Sequence, residues 1–180
     1  MKLVERHIIK KTHPYFRECK DLCFKSKNLY NKALYLIRQE YILNKVFLGY
    51  NTFHKIIKDK NEYCLLPRKV SQQVLRMLNQ NWLSFFGLLK LVKKKQYESK
   101  KVNLPRYLKK DGMYPVIYTN QAISKVWLEK NIVSPSNTNI KIKTKVKNIQ
   151  QVRIIPRYGR FIVEVIYNKT EKELLEDNGR

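Results

Sequence analysis

Acidic residues are scarce in this chain: 14 Asp and Glu stand against 38 Lys and Arg, a formal charge of +24 over 180 residues. A compact chain so charged repels itself unless a polyanion neutralises it, and nucleic acid is the commonest such partner. Four of the acids (Glu171, Glu173, Glu176, Asp177) fall in the last ten residues, so the chain before them is more basic still. Long apolar runs are missing too. The longest candidate, the interrupted stretch from Trp82 to Val92, falls short of the roughly 18 residues a membrane span needs. With no signal-peptide pattern at the N-terminus, a cytoplasmic protein is expected. Cysteine is rare: Cys19 and Cys23 lie four apart and Cys64 is distant, which fits neither a CxxC zinc pair nor an even disulfide framework. All three are expected to be reduced, mostly packing residues.

Motifs for chemistry are absent as well. There is no GxxxxGKS/T, GxGxxG or HExxH. His7, His13 and His54 have no partner cluster, and the acids are too scattered to converge on a metal pair. No catalytic centre, metal or cofactor is therefore expected in this chain. Nor is there an internal repeat or a low-complexity tract beyond lysine clusters.

What is present suits a folded protein. An apolar fraction of 43% with twelve Tyr supports a core, and a chain of this length buries about 70% of its unfolded surface. Residues 3–11 pattern as a first strand, ended by His13-Pro14. A long helix follows from about Pro14 to Asn44, with Leu22, Leu29, Ala33, Leu36 and Tyr41 at helical spacing. A shorter helix is expected with Asn51 as N-cap, carrying Phe53, Ile56 and Ile57. The clearest helix follows Pro67, its apolar stripe marked by Val74, Leu78, Trp82, Phe85 and Leu89.

From Lys93 the chain becomes basic, KKKQYESKKVNLPRYLKK, and a domain boundary is placed there. Beyond it, 114–119, 122–128, 140–147, 151–155 and 160–167 pattern as strands, with a hairpin turn at Arg157-Tyr158-Gly159. Strand, helices, then strands imply an α+β fold in which the first strand completes the later sheet and the helices form an insertion.

Three surfaces are candidates for nucleic acid. On the helix after Pro67, Arg68, Gln72 and Arg76 advance by only about 40° per step, opposite the apolar stripe. Arg bonds guanine edges or phosphate in bidentate fashion and Gln is a bidentate reader of adenine; a solvated polar face has the same spacing. The segment Pro105 to Lys110 sets Arg106, Lys109 and Lys110 around Tyr107, the composition of a backbone-tracking surface or of a charged linker. In 140–147, apolar or Thr residues alternate with Lys141, Lys143, Lys145 and Lys147, so a strand would carry a ladder of lysines on one face. Such a ladder guards an edge strand, or makes the basic face of a five-stranded barrel or sheet that holds RNA. Lys93, Lys94, Lys95, Lys100 and Lys101 add backbone-binding charge.

Four blocks, LYNKAL (29–34), SQQVLRMLNQNWLSFF (71–86), LPRYLKKDGMYPVIYTNQAI (104–123) and VRIIPRYGRFIVEVIY (152–167), resemble in order and spacing the N-terminal half of the TnpB/OrfB family, transposon-encoded RNA-guided DNA nucleases related to compact CRISPR effectors. The resemblance implies a wedge-like antiparallel β-barrel (1–12 with 102–170), split by a helical recognition insertion (13–101), with 171–180 as a linker or tail. It implies guide RNA and double-stranded DNA as partners, and motif-reading positions at Tyr50, Arg68, Gln72, Thr119 and Asn120; Arg76 joins them from the helical-face argument. Full-length members continue into a RuvC-like nuclease domain with an acidic triad and a four-cysteine zinc site, matched by nothing here. The chain ends in ELLEDNGR, about where that domain would begin, so an N-terminal part without cleavage activity is implied, with a separate nuclease half as a further partner.

The expectation is thus a binding module. Its competitors are a nuclease completed by another chain and a general RNA-binding protein of ribosomal-protein-like charge. A membrane-surface role fits poorly, since the helices interleave charges with aromatics instead of segregating a basic face.

Overall fold

The computed structural model describes residues 1–146 and 148–169, and is an α+β protein. Among the described residues the order is β1 (Lys2–Ile9), α1 (Phe16–Asn44), α2 (Tyr50–Ile57), α3 (Asn61–Cys64), α4 (Arg68–Lys93), β2 (Val116–Thr119), α5 (Lys125–Glu129), β3 (Ile132–Val133), β4 (Ile142–Lys143), β5 (Ile149–Arg157) and β6 (Arg160–Asn168). The chain divides into two compact units: a sheet unit, Met1–Cys23 with the chain from Pro115, and a helical unit, Phe24–Tyr114. The division at Tyr114/Pro115 lies beyond the basic segment where the composition places a boundary. No helix is long and apolar enough to cross a membrane among the described residues.

In the sheet unit four antiparallel strands run in the order β1-β6-β5-β2. The N-terminal strand completes the later sheet, pairing from Lys2↔Asn168 to Ile9↔Phe161. The strands β5 and β6 are joined by a two-residue turn, Arg157 facing Arg160, with both Tyr158 (φ 48°) and Gly159 (φ 72°) left-handed. Both residues at positive φ match the right-handed twist of the hairpin. Alternate side chains (Val152, Ile154, Phe161, Val163, Val165) are buried on one face, where the start of α1 packs: Phe16 lies 5.1 Å from Phe161, and the Cys23 thiol faces the Ile154 carbonyl at 3.7 Å. Burial pushes the Cys19 thiol up to about 12, with the Glu18 charge adding to it.

The barrel does not close among the described residues: β1 and β2 are the two edges of an open sheet, and β3-β4 form a separate ribbon. Two further expectations are corrected. Residues 122–128 are not a strand but the end of a 3-10 turn (Asn120–Ala122) followed by α5; a short apolar run cannot be assigned by periodicity alone. Among the described residues 140–146 only Ile142–Lys143 pairs as a strand, and Lys147 lies outside the described residues. The cause is threonine: the Thr138 hydroxyl accepts from Ile140 N (3.3 Å) and the Thr144 hydroxyl from Val146 N (3.1 Å), local bonds that displace the ladder on both sides. The alternation itself survives, with Ile140, Ile142 and Thr144 buried and Lys141, Lys143 and Lys145 exposed.

The core of the helical unit is aromatic. Trp82 of α4 is fully buried, edge-on to Tyr41 at 5.2 Å and to Phe85 at 5.9 Å, with Phe47 at 5.7 Å. The cap of helix α2 lies two residues earlier than expected: Gly49, extended, occupies the cap position and its carbonyl accepts from Thr52 and Phe53, leaving Asn51 inside the helix. Ile56 is exposed, while Phe53 and Ile57 are buried. Cys64 is also exposed, not packed. The segment 105–110 lies along α1, whose side chains bond its backbone: Lys27 Nζ donates to Lys110 O (2.7 Å), Asn31 exchanges two bonds with Leu108 (2.9 Å each), and Arg38 donates to Pro105 O (2.9 Å).

Candidate nucleic-acid interface

In the helical unit Pro67 precedes α4, so Arg68, Gln72 and Arg76 occupy one face of it, turned away from Val74, Leu78 and Trp82. Arg68 and Arg76 are exposed and Gln72 half-buried. The structure brings Tyr50 to this face: the Arg76 guanidinium carbon lies 5.3 Å from its ring centroid. Four of the six expected motif-reading residues therefore share one surface.

Two residues that the sequence did not single out for this role complete it. Tyr50 stacks on His54 (5.5 Å between centroids, 17° between planes), one turn further along α2. The His54 Nε2 is 3.1 Å from the hydroxyl of Tyr63 in α3, and the Gln72 side chain lies beside the same hydroxyl. The Ser71 hydroxyl in turn donates to the Tyr63 carbonyl at 2.7 Å, tying α3 to α4. Burial lowers the His54 pKa, helped by the positive charges of Lys58, Arg68 and Arg76, so the ring is neutral at pH 7. Burial raises the Tyr63 pKa. A phenol hydroxyl both donates and accepts, so it can bond an imidazole nitrogen and a carboxamide together. The result is a half-buried Gln flanked by two exposed guanidinium groups, a set able to bond a base edge and adjacent phosphates.

The other two expected readers, Thr119 and Asn120, belong to the sheet unit. Thr119 ends β2 opposite Gln151, and its hydroxyl is buried with no hydrogen-bond partner among the described residues. Asn120 is exposed at the start of the 3-10 turn.

The lysine run of the sheet unit is built differently. Lys143 and Lys145 line an open groove of about 940 Å³ with Lys130 and Glu5. Lys141 Nζ sits 3.8 Å from the centroid of Trp127, with Lys130 Nζ at 5.4 Å. The groove wall is held by Glu5, which accepts from the Thr144 hydroxyl at 3.0 Å. Lys147 lies outside the described residues. On the helical unit Lys93, Lys94, Lys95, Lys100, Lys101, Arg106, Lys109 and Lys110 are all exposed; Lys101 pairs with Glu98 at 3.0 Å, and Tyr107 carries the Arg38 guanidinium over its ring at 5.2 Å.

Among the described residues no three His, Cys, Asp or Glu side chains gather as a metal site. No protein-family model and no curated protein sequence matches the chain.

Proposed function

We propose that the chain is a nucleic-acid-binding module of a transposon-associated, RNA-guided DNA endonuclease of the TnpB/OrfB kind. It binds guide RNA through its lysine-bearing surfaces and reads a short DNA motif with the face of α4. On this reading the sheet unit with its lysine ribbon serves as the wedge, the helical unit as the recognition insertion, and cleavage is supplied by residues other than these. The observation that carries it is the grouping of Tyr50, Arg68, Gln72 and Arg76 on one face, with Gln72 beside the Tyr63 hydroxyl. Base pairing to the guide would select the target, leaving the protein only a short motif and the backbone to contact.

The test is selection of bound duplexes from a randomised library, followed by titration of the recovered motif. Gln72→Ala is expected to weaken motif binding by about 1–3 kcal/mol while leaving RNA binding and scrambled duplex nearly unchanged. Equal losses on motif and scrambled DNA would rule out the base-reading role. A general RNA-binding protein is the second reading, favoured by the charge of +24; it predicts steeply salt-dependent affinity for every polyanion and no recovered motif.

A further inference from the structure

In the sheet unit a second cleft, of about 570 Å³, opens where β5 begins and β6 ends, within the size range of small-ligand sites. Five carboxamides line it: Asn120, Gln121, Asn148, Gln150 and Asn168. They come from three places. Asn120 and Gln121 sit on the 3-10 turn after β2, Asn148 and Gln150 at the entry to β5, and Asn168 at the end of β6.

The backbone fixes their arrangement. The register of β5 shifts from Ile149↔Tyr167 to Gln151↔Ile166, so Gln150 is a bulged, extra residue; bulges re-aim side chains, often beside functional sites. The far rim is anchored: Met1 N donates to Lys169 O at 2.8 Å, Lys169 N to Met1 O at 3.0 Å, and Asn168 N to Asn148 O at 3.4 Å. The near rim is set by the pairing of Thr119 with Gln151.

The lining has a definite chemistry. Each carboxamide offers one acceptor oxygen and two N–H donors, and none of the five side chains has a hydrogen-bond partner among the described residues. Ile123, Leu128 and Ile149 supply an apolar floor, Lys125 and Lys169 a positive rim, and no carboxylate lines the cleft. A phosphate alone would need cations and backbone N–H groups, not five amides. An acidic peptide would need charge along its length. A planar group with donors and acceptors on its edge, apolar faces and an attached negative charge matches every part of the lining.

We propose that this cleft holds one unpaired nucleotide of a single-stranded nucleic acid. The carboxamides of Gln121, Gln150 and Asn168 bond the edge of the base, its face rests on Ile123 and Leu128, and Lys125 bonds the phosphate. Unpaired bases present the edges that carboxamides recognise, which a duplex withholds. The inference does not depend on the α4 reading, since it concerns a different surface and a different nucleic-acid state.

The experiment is a fluorescence-anisotropy titration of the full chain with a short single-stranded RNA, DNA of the same sequence, and a backbone of equal length lacking bases. Gln121→Ala/Asn168→Ala changes only exposed side chains; it is expected to weaken binding of the base-bearing strands about tenfold and leave the abasic backbone unchanged. Lys125→Ala is expected to weaken all three alike, and the tighter of RNA and DNA identifies the natural strand. Equal losses on base-bearing and abasic strands, no loss on either, or no binding of single strands by the unaltered chain would each overturn the proposal. Gln72→Ala titrated with motif duplex alongside reports on the α4 reading separately.

Discussion

On the helical unit, Arg76 lies over Tyr50, Tyr50 stacks on His54, and His54 and Gln72 lie at the Tyr63 hydroxyl; in the sheet unit, Lys141, Lys143 and Lys145 extend from a short ribbon, with Trp127 as an aromatic neighbour of Lys141. Both surfaces are cationic, yet they are ordered to different degrees. Arg and Gln offer planar, directional groups, here set among three aromatic side chains, which on the proposed reading suits them to discriminate between bases. Lysine is a flexible point charge, suited to following a phosphate backbone whatever its sequence. On the proposed reading the same positive charge would support two tasks, and the difference lies in what surrounds it.

The sharpest way to break the contrast is to remove the support of the ordered face. Trp82, on the buried side of α4, packs among Tyr41, Phe47, Phe85 and Phe86. Trp82→Ala is expected to cost about 3–5 kcal/mol of stability through the lost ring and the cavity, measured by urea unfolding followed by circular dichroism. Lys143→Ala, which removes an exposed charge, should stay within about 0.5 kcal/mol. A Trp82 loss as small as that would mean that the aromatic cluster does not hold α4 in place.

A smaller effect separates the two surfaces in solution. Replacing Lys141, Lys143 and Lys145 together by Gln should lower the slope of log affinity against log salt for RNA by about two, since each phosphate contact contributes about 0.7–0.9. Gln72→Ala should leave that slope unchanged. An unaltered slope in the triple variant would mean that these lysines are solvated and contact no phosphate.

Much of this was legible along the chain. The helix after Pro67 announced itself because Val74, Leu78, Trp82 and Phe85 recur at helical spacing beside a proline suited to a helix start, and the turn at Tyr158-Gly159 followed from residue type. Positions 122–128 misled because Val126, Trp127 and Leu128 make an apolar run too short to carry a period. The lysine strand was cut short by Thr138 and Thr144, whose hydroxyls take local backbone bonds that no alternation pattern records. Of the candidate face on α4, Arg68, Gln72 and Arg76 followed from helical spacing and Tyr50 from resemblance alone. His54 had a signal, lying four residues after Tyr50 on the same face of α2, but Tyr63 had none, because its hydroxyl reaches Gln72 only once α3 folds against α4. The barrel implied by the resemblance depends on strand pairing across the whole chain, and pairing of that range leaves little trace in local pattern.

The smallest expected effect is also the most specific to the ordered face. His54 has a lowered pKa because it is partly buried and faces Lys58, just past the end of its own helix, and Arg68 and Arg76 on α4; the other groups against it are the rings of Tyr50 and Tyr63. The unfolded chain therefore takes up a proton at about 6.5 that the folded chain still resists, so between that value and the lower folded pKa the unfolded state binds more protons. Stability contributed by the neutral ring is complete above about pH 6.5 and is lost as the pH falls through the folded pKa. Urea midpoints of the full chain, compared with His54→Gln across about pH 5 to 8, should diverge below the upper end of that window, the unaltered chain losing stability faster. Parallel profiles would mean that His54 titrates alike in both states, and that the link from Tyr50 through His54 to Tyr63 and Gln72 is too loose to orient the carboxamide.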